Sequence, residues 1–136
     1  MSNRIDLTGR GAIVTGGARG IGLAIAERFV ASGAKVGQWD MDAAAIAAAK
    51  AKLGPGAHGH AVDVTDEEQV AAMFDRVVTE YGHVDVIFNN AGISPPDDDS
   101  ILETELDAYQ RVQDVNLKIV FLCCKYGIPH LLERGG

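Results

Sequence analysis

The chain of 136 residues is 47% hydrophobic and 23% charged, the composition of one globular domain able to bury a core. Its net charge of -7 and pI near 4.9 offer no basic patch to nucleic acid or to an anionic membrane surface, so neither is expected as a partner. The longest strictly apolar run, Ile119 to Cys124, is far shorter than the roughly 20 residues that cross a bilayer, and Met1 to Asp6 carries no apolar stretch of a signal peptide. Cys123 and Cys124 are adjacent, so no disulfide framework is available; a reducing compartment, the cytoplasm, is the expected location.

In chain order, Gly11 to Thr15 predicts a strand, and Ile21 to Ser32 a helix stopped by Gly33. Ala34 to Trp39 predicts the second strand. Asp42 then N-caps an alanine-rich helix that runs to Leu53 and ends at Gly54-Pro55-Gly56. Gly59 to Val64 predicts the third strand. Thr65 with Glu68 three residues on has the form of a capping box, opening a helix to Tyr81 with Gly82 as its stop. Val84 to Phe88 is apolar enough for a strand buried on both faces of a parallel sheet. After an irregular stretch from Ile93 to Ser100, one long helix is expected over Glu103 to Glu133, kinked near Gly127 and Pro129. Strand and helix alternate four times, which predicts an α/β, doubly wound open parallel sheet of strand order 3-2-1-4.

The first strand runs directly into Thr15-Gly16-Gly17-Ala18-Arg19-Gly20-Ile21-Gly22, which opens a helix. A glycine turn here lets backbone N–H groups approach a pyrophosphate, and the helix N-terminus behind it adds about half a positive charge. Spaced glycines alone also serve ordinary tight turns. Asp40 adds weight: it closes the second strand 24 residues past Gly16, near the spacing at which a carboxylate receives ribose hydroxyls.

The spacing Gly16-x-x-x-Gly20-x-Gly22 resembles the fingerprint of the short-chain dehydrogenase/reductase family and differs from the Gly-x-Gly-x-x-Gly of other dinucleotide binders. Asn89-Asn90-Ala91-Gly92 after the fourth strand and Asp63-Val64 after the third match two further motifs of that family. The resemblance implies a Rossmann domain over residues 1–136 and an oxidoreductase that moves a hydride between a nicotinamide and an alcohol or carbonyl substrate. It implies that Gly16, Arg19, Gly20, Ile21 and Gly22 line the pyrophosphate and that Asp40 binds the adenosine ribose. Asp63 and Val64 would touch the adenine, and Asn90, Ala91 and Gly92 would lie along the cofactor. NAD is the expected cofactor, because Asp40 would repel the extra phosphate of NADP and no Lys or Arg follows in Met41-Asp42. Arg19, a cation in the glycine turn, keeps NADP as the weaker alternative.

The family's proton-transferring tyrosine is followed four residues on by a lysine. Here Tyr81, Tyr109 and Tyr126 are followed at that spacing by Asp85, Gln113 and His130, and Ser94 lies before the long helix, where the family's catalytic serine does not. Asn116 matches the family's helix asparagine, which supports a water in the proton relay. The chain is accordingly expected to be a fragment without the Tyr-x-x-x-Lys pair, poorly soluble and inactive alone. Its last strand would be an open edge, and the helix around Val115, Ile119, Val120 and Leu122 would be the subunit contact of a homodimer or homotetramer when complete. A non-catalytic dinucleotide-binding module or relic is the alternative, and a nucleoside-dependent methyl transferase a weaker one, against which Asn89 to Gly92 speaks. No metal site is expected, since His58 and His60 lack a supporting cluster.

Overall fold

β1 (Gly11–Thr15) is buried along its full length, as a strand covered on both faces must be. In the computed structural model, which describes residues 4–135, β1 is flanked by β2 (Lys35–Asp40) and β4 (Val86–Phe88), and β3 (Ala57–Ala61) lies outside β2. All pairs are parallel and the order is 3-2-1-4, as the alternation predicts. Met1 to Asn3 and Gly136, at the ends of the expected domain, lie outside the described residues.

Alternation along β1 divides the core. Ala12 and Val14 face α1 (Gly20–Ala31), where they join Ala26 and Val36, while Ile13 faces the opposite layer with Trp39, Phe74 and Ile119. That opposite layer is α3 (Glu67–Tyr81) and α5 (Lys118–Glu133). α2 (Ala43–Leu53) lies against β3, where Ile46 fills the space that a side chain at Gly59 would need. α4 (Leu106–Asn116) packs against α5.

Several boundaries differ from the sequence reading for local reasons. The β3 ladder ends at Ala61 because its partner β2 ends at Asp40, and Val62 and Val64 turn into the core instead. The N-cap of α3 is Asp66, whose carboxylate accepts from Gln69 N at 3.1 Å. Thr65 is already engaged: its amide and hydroxyl donate to Asp63 Oδ1 at 2.9 and 2.7 Å, so the Thr65–Glu68 capping box does not form. The long helix begins at Leu106, after a turn in which Glu103 N and Thr104 N donate to Ser100 O. Its interruption falls at Leu117, beside Asn116.

Gly127 and Pro129 lie inside α5 and do not end it. Gly127 is a packing position, since a Cβ there would overlap Ile87 Cδ1 and stand 2.7 Å from Phe74 Cζ. By length and composition the run Leu106–Glu133 is long and apolar enough to cross a membrane. Its inner face is committed to the core through Ile119, Leu122 and Cys123. This corrects the expected subunit contact: Ile119 and Leu122 face inward, whereas Leu117, Phe121, Ile128 and Leu132 form the exposed apolar face. Burial also pushes the Cys123 thiol up to about 12, which suits a packing residue.

Placing valine at Gly127 should lower stability by about 1–3 kcal/mol, the usual cost of overpacking. Urea denaturation reads this directly; an unchanged or raised midpoint would show that α5 does not depend on close approach to β4.

Candidate functional site

At the carboxyl ends of the strands, α1 leaves β1 on one face and the segment after β4 departs toward the other, opening a crevice at the switch point between them. The crevice has a volume of about 540 Å³. Its floor and walls come from the glycine turn (Gly16, Arg19), the end of β2 (Trp39, Asp40, Met41) and the segment after β3 (Val62 to Thr65). Asn90 to Ile93, Val115 and Ile119 complete it. Eight of the predicted site residues therefore meet in one place: Gly16, Arg19, Asp40, Asp63, Val64, Asn90, Ala91 and Gly92.

Gly20, Ile21, Gly22 and Asn116 are outside this lining, and each is placed differently. Gly22 is required by contact, because a Cβ there would overlap Gly16 O and lie 2.6 Å from Asn90 Nδ2. Gly20 sits at φ 55°, in the left-handed region, with open space where a side chain would project. Ile21 is largely exposed in the first turn of α1. Asn116 grips the loop after β4 with both ends of its amide: Ile93 N donates to Oδ1 at 2.7 Å and Nδ2 donates to Ile93 O at 2.8 Å. The side chain thereby joins α4 to the wall of the crevice.

The turn is held by residues that the motif reading passes over. Thr15, 1% exposed, places Oγ1 where Asn90 N and Ala91 N both donate to it, each at 3.0 Å. Asn90 Nδ2 returns the link by donating to Thr15 O at 3.1 Å and Gly16 O at 3.3 Å. Gln38, fully buried, donates from Nε2 to Gly17 O at 2.7 Å and so ties the turn to β2. A threonine preceding the glycines and a lone glutamine in an apolar strand are the sequence signals for both. Trp39, the one tryptophan, is fully buried and stacks edge-on against Phe74 with centroids 5.0 Å apart.

Charge in the crevice is mainly negative. Asp40 Oδ1 accepts from Asp42 N at 3.1 Å, and Asp63 is tied into the turn with Thr65. Arg19 is the one cation lining the crevice among the described residues. α2 and α3 each have an aspartate side chain capping their first turn, whereas α1, like α4 and α5, has no side-chain cap; its N-cap is Arg19 of the glycine turn. No tyrosine lines the crevice among the described residues. Tyr81 is buried, which raises its hydroxyl pKa, and Tyr126 Oη donates to Glu67 Oε1 at 2.6 Å. Asp97, in the loop after β4, is ion-paired with Arg111 of α4 at the surface.

Replacing Thr15 by valine keeps the shape but leaves the amides of Asn90 and Ala91 without their acceptor. The expected loss is about 1–3 kcal/mol of stability, with Asn90 and Ala91 amide exchange accelerating more than that of the β2–β3 ladder. Uniform acceleration across the sheet would contradict a local role for the hydroxyl.

Comparison with known proteins identifies the family and the fold. A family model described as short chain dehydrogenase matches residues 10–136. A 2-dehydro-3-deoxy-L-rhamnonate dehydrogenase (NAD(+)) of Sphingomonas sp. (strain SKA58) is 39% identical over 93% of this chain and 50% of its own length. Meso-2,3-butanediol dehydrogenase of Serratia marcescens is 36% identical over 91% of this chain and 49% of its own. The crystal structure of a 3-ketoacyl-(acyl-carrier-protein) reductase from Brucella melitensis, complexed with NADH, superposes with a TM-score of 0.88 at 33% identity, covering 96% of this chain and 53% of that one. The chain thus spans about half the length of these relatives. With the motifs, the strand order and the match over residues 10–136 in agreement, the chain belongs to the short-chain dehydrogenase/reductase family.

Proposed function

We propose that the crevice binds a nicotinamide dinucleotide, NAD in preference to NADP, as the cofactor part of an oxidoreductase acting on a small alcohol or carbonyl substrate. The observation that carries this reading is the meeting of Gly16, Asp40, Asp63 and Asn90 to Gly92 around one cavity of about 540 Å³, within the usual range for small-molecule sites. The residues present fit such a group. At Gly16, φ 62°, a Cβ would stand 3.0 Å from Ala91 Cα, so a glycine lets the turn pack directly against the segment after β4 that forms the other side of the crevice. The uncapped first turn of α1 offers N–H donors and a positive dipole end to a pyrophosphate.

When bound, the dinucleotide supplies a nicotinamide that exchanges a hydride with the substrate carbon. The work of this chain's residues in the reading is to bind and orient. Asp40 accepts from ribose hydroxyls and disfavours an additional phosphate by charge. Asp63 and Val64 border the adenine. Asn90, Ala91 and Gly92, fixed through Thr15, present a rigid backbone wall along the cofactor. Asn116 keeps that wall in place through Ile93. The exposed apolar face of α5, with Phe121 at its centre, serves as a contact between subunits of the enzyme.

Trp39 provides the readout, because as the one tryptophan it lines the crevice. Titration with NADH should quench its emission and sensitise nicotinamide emission, with a dissociation constant on the order of micromolar. Asp40→Ala should weaken NADH at least about tenfold, the loss expected for a charge-assisted hydrogen bond. A folded chain showing no energy transfer, or an Asp40→Ala variant that binds NADH unchanged, would overturn the reading.

A further inference from the structure

Arg19 leaves the glycine turn at the rim of the crevice, and its Nη2 lies 2.5 Å from Asp42 Oδ2. Asp42 is held on two other sides. Its Oδ1 accepts from Ala45 N at 3.0 Å as the N-cap of α2, and its own amide donates to Asp40 Oδ1 at 3.1 Å. Asp40, Asp42 and Arg19 are thus linked in a row, of which Asp40 and Arg19 line the crevice. Asp42 is anchored whether or not Arg19 is present, so only the arginine side chain loses freedom when the pair forms.

This row bears on which dinucleotide the crevice accepts. A cofactor with a phosphate on its adenosine ribose needs a cation near Asp40, and Arg19 is the one cation among the described lining residues. Left free, Arg19 would offset the repulsion from Asp40. Paired to Asp42, it is already neutralised by a partner inside the protein.

We propose that Asp42 is a positioning residue for cofactor choice: by holding the Arg19 guanidinium in an ion pair at the crevice mouth, it keeps that cation from a ribose phosphate and leaves Asp40 to select NAD. The inference rests on the dinucleotide reading above and adds to it a residue outside the glycine, Asp40 and Asn-Asn-Ala-Gly motifs. Both side chains are about half or more exposed, 64% for Arg19 and 48% for Asp42, so the effect is modest. A factor of about five in relative affinity is the size expected of an exposed pair.

The test is calorimetric titration of the full chain with NADH and NADPH, for wild type, Asp42→Asn, Arg19→Ala and the double variant. Asparagine caps a helix about as well as aspartate, so Asp42→Asn removes the charge while keeping the start of α2. The NADPH-to-NADH affinity ratio should rise about fivefold in Asp42→Asn, and less than about twofold when the same change is made on the Arg19→Ala background. An equal rise on both backgrounds would mean that Asp42 acts by its own charge, and no rise on either would mean that it has no part in selection; each overturns the proposal while leaving dinucleotide binding intact. A folded wild type that binds neither nucleotide overturns the reading of the crevice and this inference with it. Thermal melts of the four proteins separate a lost cap from a changed preference, since a merely structural role for Asp42 would move the melting temperature and leave the ratio unaltered.

Discussion

The geometry of the crevice depends on one hydroxyl. β1 and β4 are hydrogen-bonded partners through Val14 and Phe88, and beyond that point their chains depart to opposite faces of the sheet. Thr15 Oγ1 receives the amides of both Asn90 and Ala91 where the two paths separate. Two backbone donors at a sheet end, half hidden from water, need an acceptor, and a buried threonine supplies one without filling the space the crevice occupies. Asn90 closes the link by donating back to Thr15 O and Gly16 O, so the glycine turn and the wall opposite are held as one unit.

Other contacts build outward from this point. Gly22 lies against Gly16 O and the Asn90 amide, which makes the helix start part of the same unit. Gln38 ties the turn to β2, and Asn116 ties the loop after β4 to α4. At the opposite end of the strands, the buried Asp85 accepts from Gly11 N and pairs with Arg10 and Arg134, and these contacts hold its carboxyl below the ordinary range despite the opposing effect of burial. The sheet is therefore fastened at both ends of the β1–β4 pair. The carboxyl end does so with glycines and neutral hydrogen bonds, and the amino end with a charge cluster.

Much of this was legible in the sequence, because regular elements repeat their signals. The apolar runs of β1 and β4, the glycine stops after the helices and the alternation of strand with helix lead directly to the order 3-2-1-4. The glycine turn, Asp40, Asp63 and Asn90 to Gly92 are short motifs placed at strand ends, and a parallel sheet gathers strand ends at one edge. What was not legible depends on which partner each side chain meets once the chain has folded. Thr65 has the form of a cap, yet Asp63 engages its amide and hydroxyl, and the role passes to Asp66. Gly127 suggests a kink from sequence, yet it is a position where α5 leaves no room for a side chain beside Ile87 and Phe74. Ile119 and Leu122 and their exposed neighbours Leu117 and Phe121 are all apolar, so hydrophobicity alone could not say which pair faces the core. The Arg19–Asp42 pair joins residues 23 apart and carries no motif of its own.

The switch-point crevice is proposed as a dinucleotide site built by these residues. Amide chemical-shift mapping of the labelled chain during NADH titration tests it most directly, because it reports both binding and place. Shifts should concentrate at Gly16, Arg19, Gly20, Asp63, Ala91 and Gly92, with α3 and the amino ends of the strands unmoved. A folded spectrum that does not change, or changes centred on residues away from the crevice, would contradict it.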